Sequence, residues 1–233
     1  MKKFALSLVC YVLGLSSLAA FFWLIQFGMH DNLFPFSWAS VVQNSLIFLL
    51  FPLQHSILAR PGFKQWIQTL ADPLLERSIY VGTSGLAMWL VLWGWKPLGP
   101  ALYKRESWII FDLVFYAALT LLILSTVALD HGAMFGIKQG YAAWKGKEWP
   151  QSGLRTDGIY GIVRHPITSL FIVALWSHRT LTGGRLLFNL LFTAYALIGT
   201  IFEERDLVRS LGSQYQKYRE RVPAFIPRLH KPT

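Results

Sequence analysis

The chain has 233 residues, 54% of them hydrophobic and 15% charged, with 17 Phe, 10 Trp and 9 Tyr. A soluble domain carries about 25% charged residues, so this composition excludes an ordinary soluble fold and points to a membrane. The formal charge of +10, from 22 Lys+Arg against 12 Asp+Glu, lies beside apolar spans without any recognition motif, which argues for anionic lipid headgroups as partner and against nucleic acid.

A helix needs about 20 apolar residues to cross the hydrocarbon core. The first such run, about Phe4 to Phe27, follows Lys2 and Lys3; it is too long for a signal peptide and has no small-residue cleavage site. The second runs from about Trp38 to Leu58 and carries Gln43, Asn44, Gln54 and His55. The third covers about Ile79 to Trp95 and the fourth about Trp108 to Leu129, each with Trp at an edge, as an aromatic belt requires. After a polar connector from Asp130 to Arg164, apolar character returns over Ile167 to Trp176 and about Leu186 to Phe202, with Gly183 and Gly184 between. That predicts a helical hairpin whose short first arm crosses only with help from preceding residues or re-enters.

The expected fold is therefore all-α: a polytopic membrane protein with four transmembrane helices, a C-terminal transmembrane hairpin and a cytoplasmic amphipathic helix. No linker separates regions of differing composition, so residues 1–233 read as one domain, with 1–130 the four-helix membrane part and 131–233 the part that carries the polar stretches, which the resemblance given below makes the cofactor-binding part. Basic residues at Arg60, Lys64 and Arg77, in 138–164 and after Phe202 set both termini inside, although Lys96, Lys104 and Arg105 then fall outside. Cys10 is the single cysteine, which excludes an intrachain disulfide or a cysteine-based metal site. Nothing in the sequence fixes an oligomeric state.

Two polar stretches carry the chemistry. SGLRTDGIYGIVRHPIT, Ser152 to Thr168, sets Arg164 and His165 beside an apolar run, where a cation is costly unless paired, solvated or used. An interfacial loop with Arg164 reaching lipid phosphates and His165 capping the next helix would look the same. EERDLVRSLGSQYQKYRERVPAFIP, Glu203 to Pro227, follows the last apolar run. At roughly 100° per residue, Glu203 and Glu204 both fall within roughly 60° of the Leu207–Leu211 line, and Arg205 and Arg209 point away. Those carboxylates read either as a cap or ion pair with Arg155 or Arg164, or as acceptors for a ligand ammonium or ribose. Tyr160 could offer an aromatic face to a positive sulfur.

Gly158, Tyr160, Val163, Arg164, His165 and Pro166, followed after an apolar hairpin by Glu203, Glu204, Leu207, Gly212, Tyr215, Tyr218, Val222 and Pro223, resemble the motif of isoprenylcysteine carboxyl methyltransferases and related phospholipid methyltransferases. The resemblance covers about Ser152 to Pro227. It implies S-adenosylmethionine held by Leu154, Arg155, Tyr160, His165, Pro166, Glu203 and Glu204, with Gln139 as a further contact. Thr168 and Leu170 depart from the family's usual Tyr and Gly, and Gly199 and Thr200 stand where the prenylcysteine enzymes carry an Arg, which argues against a carboxylate substrate. Upstream, QHSILARPGFKQW (54–66), Glu76-Arg77-Ser78 and DHGAMFGIKQ (130–139) look like the bacterial methanethiol S-methyltransferases and in part like the NnrU proteins.

The resemblance thus implies methyl transfer to a small thiol, methanethiol to dimethyl sulfide, in the bacterial cytoplasmic membrane. Isoprenylcysteine carboxyl or phospholipid methylation, or a non-catalytic NnrU-like accessory role, are the alternatives. A thiolate is the better nucleophile, so a base or cation should assist. His55 and His131 are candidates because imidazole titrates near neutral pH, and Arg164 could stabilise the anion; each could equally be structural. The six histidines, at 30, 55, 131, 165, 178 and 230, show no HExxH spacing, and no GxGxxG is present, which leaves neither metal nor a Rossmann site as an expectation.

Overall fold

The apolar runs bounded by polar turns do form helices. The structure, a computed structural model, describes residues 1–29, 35–104, 109–150 and 153–228. Residues 30–34 of the Gly28–Ser37 loop, His30 among them, and Arg105, Trp108, Ser152 and His230 lie outside the described residues. In chain order the helices are α1 (Lys2–Trp23), prolonged by a π-helical turn to Gly28, α2 (Trp38–Leu58), α3 (Pro61–Leu70), α4 (Glu76–Gly94), α5 (Ile109–Ala128), α6 (His131–Met134), α7 (Ile137–Lys145), α8 (Pro166–Trp176), α9 (Gly183–Leu211) and α10 (Ser213–Arg221). Short strands β1 (Ala101–Lys104) and β2 (Thr180–Thr182) pair antiparallel, with Ala101 opposite Thr182.

The all-α polytopic membrane class holds. Four described helices are long and apolar enough to cross a membrane: Lys2–Gly28, Trp38–Leu58, Ile109–Ala128 and Gly183–Leu211. α4 occupies the expected third span but is not among them, because Glu76, Arg77, Ser78, Thr83 and Ser84 dilute its first half. The hairpin is asymmetric: α8 has 11 residues and α9 has 29. The last apolar run and EERDLVRSL form one unbroken helix, so the amphipathic stretch starts as the end of a span and only resumes separately as α10, after Gly212 at φ 55°.

The chain divides into two compact units, the first comprising 1–105, 130–150 and 180–191 and the second 106–129, 151–179 and 192–233. In the first, α1 and α4 meet along a seam of small residues. A Cβ on Gly85 would lie 2.8 Å from the Gly14 backbone, one on Gly82 would lie 2.6 Å from Cys10 Sγ, and Ser78 Oγ donates to Ser7 Oγ at 2.8 Å. Apolar side chains gain nothing by leaving lipid for another apolar surface, so small residues that allow backbones to approach hold such helices together. Asn44, fully buried on α2, donates from Nδ2 to Lys96 O at 2.8 Å and accepts from Lys96 N–H at 2.9 Å. One of the polar residues in the second span is thereby a structural clamp.

In the second unit, α5 packs on α8. Arg179 binds Asp112 bidentately, with Nε to Oδ1 at 3.1 Å and Nη2 to Oδ2. Trp176 Nε1 donates to Thr193 Oγ1 at 3.0 Å, tying the hairpin arms.

Candidate functional site

The second unit gathers the motif around one carboxylate oxygen. Pro166 opens α8 at a position where its missing N–H costs nothing, so the two residues before it stay outside the helix. Their amides pair with the C-terminal segment instead: Arg164 N–H donates to Pro223 O at 2.8 Å and His165 N–H to Ala224 O at 3.0 Å. Ser169 Oγ donates to Phe225 O at 3.0 Å. These bonds turn the Arg164 and His165 side chains toward α9.

Glu204 Oε1 then accepts from Arg164 Nε at 2.8 Å, Arg164 Nη2 at 2.6 Å, His165 Nε2 at 3.0 Å and Tyr215 OH at 3.3 Å. Arg164 Nη1 donates to the carbonyls of Arg219, at 3.2 Å, and Val222. The Arg164 side chain is 9% exposed, and its donors are taken up by Glu204 and main-chain carbonyls.

Glu203 faces differently. Its side chain is 61% exposed, with Oε2 3.8 Å from His165 Nδ1, whereas Glu204 is 19% exposed. Adjacent helical residues diverge by roughly 100°, so one carboxylate is committed inward and the other is presented outward beside the same imidazole. The sequence placed both on the protein side; only Glu204 is there.

Tyr160 is buried, donating to Ser125 O at 3.2 Å, and its own carbonyl accepts from Tyr218 OH at 2.6 Å. Burial and then the nearby charge of Glu203 raise the Tyr160 phenol above its ordinary value. Burial pushes Tyr215 and Tyr218 up to about 12, with the charge of Glu204 adding to the rise at Tyr215. Leu154 packs on the Tyr215–Tyr218–Val222 cluster. Arg155 is half exposed and ion-paired with Asp157 at 2.6 Å.

The first unit holds the remaining predicted residues. His55 binds Tyr80 OH through Nε2 at 2.6 Å and Ser84 Oγ through Nδ1 at 3.1 Å, and its ring stacks on Phe51. His131 opens α6, which Asp130 caps by accepting from Ala133 N–H at 3.1 Å. His131 Nε2 meets Tyr11 OH at 3.1 Å, and its ring lies 4.6 Å from that of Phe135. Asp130 adopts φ 69°, a left-handed conformation uncommon outside Gly and Asn/Asp, and Lys138 at 2.6 Å holds its carboxyl below the usual range. Gln139 Nε2 donates to Ala133 O at 2.9 Å, leaving Oε1 buried with no hydrogen-bond partner.

Sequence reasoning identified Arg164, His165 and the glutamate pair. It missed the roles of the Pro223, Ala224 and Phe225 carbonyls, because main-chain acceptors leave no residue-type signal, and it did not single out Arg185. The only available sign was an arginine immediately after Gly183 and Gly184 at the head of an apolar run.

Methanethiol S-methyltransferase 2 of Bradyrhizobium diazoefficiens is 38% identical over 193 residues, covering 82% of this chain and 74% of that protein. Methanethiol S-methyltransferase of Mycobacterium tuberculosis is 37% identical over 201 residues, 83% of this chain and 81% of its own. Nurim of Rattus norvegicus is 33% identical over 190 residues, 77% and 72% respectively. No family model and no solved structure matches the chain.

Proposed function

Since the chain belongs to the methanethiol S-methyltransferase family, we propose that it transfers a methyl group from S-adenosylmethionine to a small thiol, most directly methanethiol, giving dimethyl sulfide. The observation that carries the reading is the reach of His165 to both carboxylates, Nε2 to Glu204 at 3.0 Å and Nδ1 to Glu203 at 3.8 Å.

The residues of the second unit fit the proposed cofactor. An exposed carboxylate, Glu203, suits an ammonium or ribose hydroxyls, and the guanidinium of Arg155 suits a carboxylate. The sulfonium supplies an electrophilic methyl when bound. Glu204 positions: it fixes Arg164 and His165, which aim the chain leading into Tyr160 and Pro166. Leu154 supports this arrangement by packing. Arg164, engaged by Glu204, works as a positioning residue rather than as a cation for the thiolate. The resemblance adds Gln139, of the first unit, whose Oε1 has no hydrogen-bond partner among the described residues.

The thiol must lose its proton as the new carbon–sulfur bond forms and the methyl leaves the sulfonium. His131 is favoured over His55 as the proton acceptor, because it opens the short α6 outside the long apolar helices, whereas both ring nitrogens of His55, on α2, already meet the hydroxyls of Tyr80 and Ser84. The basic stretches support a cytoplasmic-membrane protein with both termini inside.

The test is an assay of purified protein in detergent with S-adenosylmethionine and, in competition, methanethiol, hydrogen sulfide, phosphatidylethanolamine and a prenylated cysteine. Dimethyl sulfide, read by gas chromatography, is the expected product. Methylation confined to the lipid or the prenylcysteine would overturn the thiol reading, and absence of cofactor binding would favour an accessory protein.

A further inference from the structure

Arg185, at the head of α9 in the first unit, is 1% exposed. Nη1 donates to Thr180 O at 2.7 Å and Nη2 to Ile25 O, while the main-chain N–H donates to Thr182 Oγ1 at 3.2 Å. Nε is buried and has no acceptor. Among the described residues, the partners of this guanidinium are neutral carbonyl oxygens and no carboxylate pairs with it. Carbonyls satisfy donors but do not cancel a charge, and a cation held out of water without a counter-charge is costly.

A cavity of about 50 Å³ opens against it, lined by Arg185, Thr182, Leu24, Met29, Trp95 and Leu98 among others. One water needs about 10–15 Å³, so the space takes about three or four water-sized particles, a monatomic anion with its remaining waters or a short thiolate. The wall is tight on one side: Gly184 N–H donates to Leu98 O at 2.7 Å, and a Cβ on Gly184 would lie 3.1 Å from Leu98 N. The amino-terminal end of α9 adds positive potential of the same sign as the guanidinium. Walls of Leu24, Met29, Pro97 and Leu98, with the Thr182 hydroxyl and the Trp95 indole beside them, replace only part of a hydration shell, which disfavours phosphate or sulfate. They suit a monovalent anion that sheds water readily.

We infer that this cavity is a binding site for a small, weakly hydrated monovalent anion, of the halide or the hydrosulfide and short-thiolate class, held by Arg185. The site uses none of the residues assigned to methyl transfer and lies at the opposite end of α9 from Glu203 and Glu204.

The test is bromide line width by NMR on the full chain in dodecyl maltoside. Saturable broadening is expected for the wild type, displaced by thiocyanate and not by sulfate. Arg185→Gln should abolish it and Arg185→Lys should keep it with reduced affinity. Displacement by hydrosulfide at lower concentration than by chloride assigns the site to a sulfur anion; the reverse order assigns it to a halide. Absence of saturable broadening in the wild type overturns the inference even if Arg185→Gln fails to fold. So does broadening that persists unchanged in Arg185→Gln.

Discussion

Glu204 receives Arg164 twice on a single oxygen, from Nε at 2.8 Å and Nη2 at 2.6 Å, while its other oxygen stays 3.9 Å from Arg219 Nε. Such one-sided saturation gives neighbouring glutamates separable roles. Glu204→Ala should lower stability by about 3 kcal/mol, because it strands a guanidinium that is largely buried. Glu203→Gln should change stability by less than about 0.5 kcal/mol yet weaken S-adenosylmethionine binding about tenfold or more, the loss of one charge-assisted hydrogen bond. Denaturant unfolding in detergent and calorimetric titration separate the two. Equal stabilities would contradict the division.

Removing His131 should lower kcat/KM for the thiol by about 10²–10⁴-fold, the contribution of a positioned base. The rate of His131→Ala should climb with pH toward the thiol's own ionisation, where no base is needed. His55→Ala should cost less than about tenfold in rate and act mainly through stability, since Tyr80 and Ser84 lose their shared partner. A flat pH response of His131→Ala would remove this residue from proton transfer.

Gln139→Leu keeps the volume and removes the buried acceptor. It should weaken cofactor binding about 10-fold or more if that acceptor meets a charged donor, while raising stability slightly through loss of an unsatisfied group. Gln139→Glu should bind at least as well as the wild type. Unchanged affinity in Gln139→Leu would exclude the contact.

Alkali should loosen the C-terminal region in a defined window. Tyr215 and Tyr218 titrate up to about 12 in the fold and at about 10 in an unfolded chain. Between those values the native state keeps protons that the unfolded chain has released, so stability is whole below about 10 and falls as pH rises toward about 12. Tyrosinate absorbance should show late-ionising phenols coincident with loss of helicity, and Tyr218→Phe should remove one of them.

Gly85→Val should destabilise by about 1–3 kcal/mol, the usual cost of overpacking, because a Cβ added there would lie 2.8 Å from the Gly14 backbone. Gly62→Ala, where a Cβ meets nothing within 4 Å, is the control and should be near neutral. Thermal unfolding of the two variants in detergent measures the difference.

What the sequence revealed was whatever is written locally. Apolar length marked α1, α2, α5 and α9, and the Arg164-His165-Pro166 triplet marked the motif, because these signals need no partner to be recognised. The division of labour between Glu203 and Glu204 was not visible, since a helical wheel cannot tell which of two flanking positions finds Arg164. Nor was the β1–β2 pair, whose strands lie far apart in the chain and are too short to show alternation. Asn44 and His55 both appeared as polar intrusions in one span; only their neighbours, Lys96 against Tyr80 and Ser84, distinguish a clamp from a candidate base.

The carbonyls of Val222, Pro223, Ala224 and Phe225 all receive hydrogen bonds from residues 164–169. The Val222–Phe225 segment therefore behaves as a latch for a motif written almost sixty positions earlier. Deletion of Val222–Phe225 would undo Arg164 and His165 without altering either residue, so loss of activity in preparations lacking this segment should be traced first to the tether.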